Sequence, residues 1–452
     1  MKNRRMPAGN SHTQKGENVT KERQGFQPYV RTTMLISLGF FTMGLMDPLY
    51  DNFVPLFLRN YISSMSVRNI VITLDNVFAL ILIPIVSVWS DRTRTRIGRR
   101  MPFILVTLPL SAILFAFIPY SAAASLLALI LMIVVLNLFK QGARGPIVAL
   151  MPDTIPGEYR SEANGIINMA GAAAGIIATL VLGPLMNVDL NLPVLGSTKD
   201  RLPFVLAGVL VIFSVILLYV FVKEKRSDGA TGSEMAPLVQ SLKTIAKAED
   251  KSALLILVSI FLWFFAYQGI LPTISTYMLD VIGVSTGQTS FAMGAAAVAM
   301  VVFAAPSGYL AHRLGRKHVI RFCLMGMAIV FVAAFFHQPA TLALHLSKAA
   351  TLFSFLGLMF LFGGFWVAIV ANSFPMLWQM ASFANVGVFT AAYYVAKESS
   401  SIIAPPITGG VADLFGIRWI FIVAGLFMVA AFFVMGLVRA GEAHDKYAAK
   451  AA

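Results

Sequence analysis

Read for apolar and polar positions, the chain falls into twelve long apolar stretches with short polar connectors. They cover roughly 32–58, 67–89, 102–119, 123–150, 161–185, 203–222, 253–280, 288–311, 319–336, 349–372, 385–409 and 417–438. Each approaches or exceeds the roughly 20 apolar residues that a helix needs to cross a bilayer. Runs of that length, apolar on every face, predict buried or lipid-facing helices rather than one-sided soluble ones. The expected fold is therefore all-α and polytopic, with twelve transmembrane helices. Residues 1–31 are polar and basic, show no cleavage pattern after a short apolar region, and read as a mobile tail. A charged stretch at 223–252 carries Lys223, Lys225, Arg226, Lys243, Lys247 and Lys251. It separates a six-helix half at 32–222 from another at 253–438, and 439–452 forms a second tail.

Composition agrees. Apolar residues make up 58% and charged residues 12% of the 452, against about 25% charged in a typical soluble domain. A net charge of +14 in a soluble chain would suggest nucleic acid; in a polytopic one it reports topology. With the first residue inside, 26 of the 35 lysines and arginines fall in inner segments and 6 in outer ones. Both termini are thus expected in the cytoplasm, with the protein in the inner or plasma membrane. The single Cys323 allows no disulfide framework and no thiolate cluster. The six histidines show no ligand spacing, so neither metal nor cofactor is expected. There is no phosphate-binding loop, which removes ATP as a direct energy source.

The two halves repeat. The inner loop after the second span reads Ser87-Val-Trp-Ser-Asp91-Arg92, then Gly98-Arg99-Arg100; after the eighth it reads Gly308-Tyr-Leu-Ala-His312-Arg313, then Gly315-Arg316-Lys317. Gly165 and Pro184 correspond to Gly387 and Pro406. Parallel repeats of six helices imply a pseudo-twofold along the membrane normal and a site at the midplane between the halves.

The loop Ser90-Asp91-Arg92-Thr93-Arg94-Thr95-Arg96-Ile97-Gly98-Arg99-Arg100 resembles the loop signature of the major facilitator superfamily. In its long form it is similar to that of the glycoside–pentoside–hexuronide:cation symporters and their sucrose-transporter relatives. Pro152-Asp153, Arg160, Asn164-Gly165, Pro405-Pro406, Gly409, Asp413 and Gly416 carry the same likeness. The resemblance implies two six-helix bundles and uptake of a sugar or glycoside by cation symport. It also implies a cytoplasmic gate built on Ser87, Asp91, Arg92, Gly98, Arg99, Arg100, Asp153, Arg160, Arg313, Gly315 and Arg316, with Asp91 as a latch. His312 replaces the acid in the second copy. Arg144 matches the arginine of the group's fourth span, and Lys397 a pocket lysine of melibiose-type carriers. The two second-span acids of those sodium carriers are Ile83 and Ala79 here, so H⁺ is favoured over Na⁺.

Charges inside a bilayer are costly and mark functional positions. Asp47 and Asp51 stand four residues apart, on one face of the first span. Pro48 and Pro55 interrupt that helix and free backbone carbonyls. Asp75 and Asn76 lie on the second span, Asn137, Lys140, Gln141 and Arg144 on the fourth, and Lys397 with Glu398 on the eleventh. A carboxylate that exchanges a salt bridge for a proton is the least a symporter needs; static pairing between helices is the plainer alternative. For a sugar, aromatic faces and polar side chains are wanted. Candidates are Tyr50, Trp263, Tyr267, Gln268, Trp366, Asn372, Trp378, Tyr393 and Tyr394. Each aromatic, taken alone, is more often a packing or lipid-belt residue. Gly171 and Gly175 form a close-packing pair.

The sequence therefore predicts a secondary transporter, not an enzyme, acting on a small-molecule solute with a coupling cation. It would sit in lipid as a monomer, with no nucleic-acid partner. Two alternatives stay open: a proton-coupled exporter on the same fold, and a non-transporting sensor or membrane-embedded enzyme. The tails and central stretch are too short to hold a folded soluble domain unaided.

Overall fold

The computed structural model describes residues 26–156, 159–193, 196–222, 224, 251–380 and 386–439. Most of the expected tails and of the central stretch at 223–252 thus lie outside the described residues, as does the side chain of Trp378. Eleven helices are long and apolar enough to cross a membrane. They are α1 (Gln27–Arg59), α2 (Met65–Arg92), α3 (Met101–Ala124), α4 (Leu126–Thr154), α5 (Glu162–Asn187), α6 (Leu202–Phe221), α7 (Ser252–Ile282), α8 (Thr286–Leu314), α9 (Arg316–Ala343), α10 (Lys348–Leu377) and α12 (Trp419–Leu437). Between the last two runs α11 (Val386–Phe415), also long but interrupted by the charges of Lys397 and Glu398. The expected all-α polytopic fold is what the chain adopts. α1 starts earlier than the apolar pattern alone suggests, because Pro28 in its first turn carries a backbone angle already suited to a helix.

Several helices are irregular where polar groups gather. α2 breaks at Thr73, which separates Met65–Ile72 from Leu74–Arg92. The last turns of α5 and α7 widen over Ile177–Leu182 and Met278–Ile282, and α7 closes on Gly283 at φ +77°. Among the described residues the only strands are Asn191–Leu192 and Gly196–Ser197, paired antiparallel between α5 and α6.

The apolar core is two cores. One joins Ile36 through Val222 and the other Ala253 through Val438, with no buried residue shared between them. Each bundle is drawn together by a glycine crossing. A Cβ on Gly44 of α1 would stand 2.2 Å from the Gly171 carbonyl oxygen of α5, and one on Gly363 of α10 would stand 2.1 Å from that of Ala296 on α8. The Gly171 and Gly175 pair expected to pack closely does lie on this crossing. The position with no spare room, however, is Gly44.

Bonds between the bundles concentrate on one face. Asn52 donates to Thr289 Oγ1 at 2.9 Å, Ser290 to the Thr179 carbonyl at 2.6 Å, and Asn187 to Ser285 Oγ at 2.9 Å. Asn69 donates to the Pro405 carbonyl at 2.8 Å, and Arg59 pairs with Asp280 at 2.6 Å. All of these lie in the half of the molecule remote from the 93–100 loop. The molecule is therefore closed on that far face.

Gly44→Ala should lower stability by roughly 1–3 kcal/mol, as overpacking does in tight cores. Gly175→Ala, whose added carbon meets nothing nearer than 3.8 Å, should be tolerated. Thermal unfolding of the two purified variants compares them directly.

Candidate functional site

At mid-depth α4 presents Lys140 and Arg144 toward α1, where both engage Asp47. Lys140 Nζ lies 3.0 Å from Asp47 Oδ1 and Arg144 Nη2 2.6 Å from Oδ2. Lys140 is 5% exposed, and its ammonium also sits 4.6 Å above the Tyr50 ring. The Tyr50 hydroxyl accepts a bond of 3.1 Å from Asn137, one turn before Lys140 on α4. Gln141 accepts from Arg144 at 3.3 Å. The polar stripe of α4 thus closes on one carboxylate.

Asp51, one turn beyond Asp47, takes part in none of this. Among the described residues it has no hydrogen bond and no ion pair. It lines a small cleft with Ile72, Thr73, Asp75, Asn76, Gln268, Leu271, Pro272 and Pro405. One wall comes from α1 and from the break in α2, the other from α7 and α11, so the cleft lies on the seam between the bundles. Asp75 stands in the first turn after the Thr73 break. There the backbone N–H groups left without helical partners favour a carboxylate. One Asp75 oxygen is nonetheless buried without a donor. Across the seam Gln268 donates to Ser401 at 2.8 Å, which leaves its carbonyl oxygen for a ligand.

Charge counting gives the site its character. Asp47, Asp51 and Asp75 face Lys140 and Arg144, three acids against two bases. Lys397 and Glu398 neutralise each other at 2.8 Å, within electrostatic reach of Asp47 and Arg144 respectively. The group is short by one positive charge. In a medium where an unpaired ion costs several kcal/mol, a bound proton or monovalent cation would balance it.

The expected aromatic contacts are mostly spent on packing. Trp263 is fully buried in the core. Tyr267 and Trp366 stack on each other at 3.9 Å, with Phe264 edge-on to Trp366. Tyr393 packs edge-on against Phe374, and Tyr394 against Tyr393. The Asn372 amide bonds back to the Ala368 carbonyl of its own helix. The structure therefore brings Asp51, Asp75, Asn76 and Gln268 together around one opening. Trp366 and Asn372 are not among its lining residues.

The loop signature forms a second cluster. Arg99 grips Asp153 at the end of α4 through Nε at 2.9 Å, and Arg100 reaches the same carboxylate at 2.9 Å. Arg100 also pairs with Asp91 and bonds Ser90. The bond to Asp153 raises the Arg99 guanidinium above its ordinary pKa. Ser87 packs under Gly145, Arg92 is exposed, and Arg160 donates to the Pro152 carbonyl at 2.9 Å. Glu224 was not foreseen. At the tip of α6 it accepts from the backbone N–H groups of Arg100 and Met101, at 2.9 and 3.2 Å, and so caps α3. A Cβ at Gly98, where φ is +112°, would collide with it. In the second half Gly315 turns at φ +88° and Lys317 donates to the Gly436 carbonyl at 3.0 Å, while Arg313 lies over Tyr309. One bundle thus ties its loop to its last helix by an acid on amides, the other by a base on carbonyls. Arg316 opens α9 directly after Gly315.

Two helical bundles around a seam lined by buried charges define a membrane transporter. The chain belongs to the Major Facilitator Superfamily, whose family model matches residues 36–340 and 256–452. Among curated proteins none matches it in sequence. Among solved structures it is similar to a bacterial homolog of the human lysosomal transporter Spinster, in an inward-facing and occupied conformation. That match has a TM-score of 0.68 and 14% identity, and covers 91% of this chain and 97% of the other. It is also similar to a D-xylose-proton symporter, with a TM-score of 0.64, 16% identity, and coverage of 91% and 98%. A third similar structure is a variant of the nucleoside transporter NupG, with a TM-score of 0.68, 11% identity, and coverage of 90% and 99%. Identities this low establish a shared fold alone.

Glu224→Ala leaves two N-terminal amides of α3 without their acceptor. The expected cost is about 1 kcal/mol, the scale of a lost helix cap. Trypsin should cut the arginine-rich 92–99 loop several-fold faster in this variant, as a timed digest of folded protein would show.

Proposed function

We propose that the chain takes up a small neutral polar solute, of the sugar or glycoside kind, together with H⁺ by alternating access. The reading rests on one observation: Asp51, unpaired and on the seam, belongs to a buried group with one more acid than bases. A proton brings that group to neutrality, and a neutral solute leaves the balance intact. The cleft offers such a solute the Asn76 amide, the Gln268 carbonyl oxygen and two carboxylates as hydrogen-bonding partners. A proton is favoured over Na⁺ because Ile83 and Ala79 stand where the melibiose-type sodium carriers place their two second-span acids. The likeness of the loop to glycoside symporters supports the solute class.

Asp47 holds a different post. Both of its partners are basic and on α4, so it fixes α1 against α4 and keeps Lys140 compensated. Asp51 and Asp75 are the coupling pair. With the basic loops in the cytoplasm, the far face is the outer one, and its closure makes this the inward-facing state. The site would then take up solute from outside and release it inside, down the proton gradient. Export on the same fold is the second reading, and the exposed polar face of α5 at Asn164 and Asn168 is compatible with either direction.

Proteoliposomes loaded with a pH dye test the proposal against a panel of sugars, glycosides and nucleosides. One or more sugars added outside should drive acidification of the lumen, and Asp51→Asn should abolish it while solute exchange persists. Proton movement unchanged in Asp51→Asn would refute the assignment. Asp47→Asn should behave differently. It strands a buried lysine, at a cost of about 3–5 kcal/mol, and should appear as poor yield and a lower unfolding temperature.

A further inference from the structure

The far face carries two features that the coupling site does not use. The first is Asp413 near the end of α11. Its carboxylate crosses the seam to the start of α2, accepting from Ser64 Oγ at 2.7 Å, Met65 N at 2.7 Å and Ser66 N at 3.0 Å. These are the amides that a helix leaves unsatisfied, and a carboxylate there gains from both hydrogen bonding and the helix dipole. Ser66 adds a bond of 2.9 Å to the Pro406 carbonyl. Gly409 lets the chains approach so closely that a Cβ there would lie 2.8 Å from the backbone of Met65 and Ser66.

The second is Arg68, on the same short helical segment one turn further in. It is 3% exposed, yet its Nε and Nη1 have no partner. It is wedged into the seam with Pro55, Met65, Asn69, Pro272, Thr273 and Thr276, and the Thr273 hydroxyl beside it also lacks one. Asp413 and Asp280 act on Arg68 only through space, while Arg59 repels it. Asp413 is committed to the α2 amides and Asp280 to Arg59. A buried guanidinium left without a hydrogen-bonding partner disfavours whatever arrangement buries it.

We propose that Asp413 and Arg68 are opposed positioning residues of the far gate: Asp413 holds it shut, and Arg68 biases it to open. Closing the seam gains three charge-assisted bonds and buries one cation without a partner. Opening it releases the cation to water and frees Asp413. The resting conformation is set by the difference between these effects, so each residue can be changed to move it in the opposite direction.

Gate opening can be read without solute or coupling ion, so the outcome is separable from that of the transport reading. A single reporter cysteine, Thr276→Cys on a Cys323→Ser background, sits 2% exposed beside Arg68 when the gate is closed. Its rate of maleimide labelling in purified full-length protein measures opening. Asp413→Asn should raise the rate about tenfold, on the scale of losing charge-assisted bonds, and Asp413→Glu should restore much of the closure. Arg68→Met, which keeps length and removes charge, should lower the rate several-fold. The double variant should fall between the two. Rates that rise in Arg68→Met would show Arg68 to be a brace rather than an opener. An unchanged rate in Asp413→Asn would remove the clasp. Coincident unfolding temperatures across the set certify that labelling reports the gate; a variant that labels fast only because it unfolds counts against the proposal.

Discussion

The double grip of Lys140 and Arg144 on Asp47 is the constraint around which the rest is arranged. It brings two cations and an anion into the interior at a place where α1 is interrupted by Pro48 and Pro55. Both bases are committed to one carboxylate. Asp51, one turn away on the same helix, is therefore left without a basic partner among the described residues. On the reading proposed above, sharing the bases evenly would have made the cluster a static network, with no carboxylate on the seam left for a coupling proton.

The mechanical side follows from where tight contacts fall. Within each bundle the crossings of Gly44 on Gly171 and of Gly363 on Ala296 allow no slack. Between bundles the bonds shown are polar, few and grouped at the far face, while the apolar cores remain separate. On the alternating-access reading proposed above, a molecule so built would change shape by rotating two stiff bodies about their seam, since packed interiors resist continuous deformation. The loop clusters at the opposite end suit this picture. Each secures its own bundle, through Glu224 in one case and Lys317 in the other.

Much of this was legible in the sequence because bilayers impose a coarse rule. Twelve apolar runs, a basic bias and an offset repeat suffice to read the fold. The acids and bases of α1, α2, α4 and α11 stood out because charge is rare there. What stayed hidden depends on backbone. Glu224 and Asp413 act on amides at helix starts, and an amide has no letter in a sequence. Asp47 and Asp51 look alike on one helix face; only the rotation of α4 decides which receives the cations. The stacking of Tyr267 on Trp366 is likewise invisible in composition, and it turns a candidate sugar platform into packing.

The missing unit of charge also has an electrical meaning. On the reading proposed above, the loaded carrier is neutral as it turns, while the empty one carries about one negative charge across the low-dielectric interior. A charge that traverses the whole membrane potential exchanges about 2.3 kcal/mol per 100 mV. With the cell interior negative, voltage then pushes the unloaded form back outward. The membrane potential acts on the return stroke, and the pH difference acts on loading.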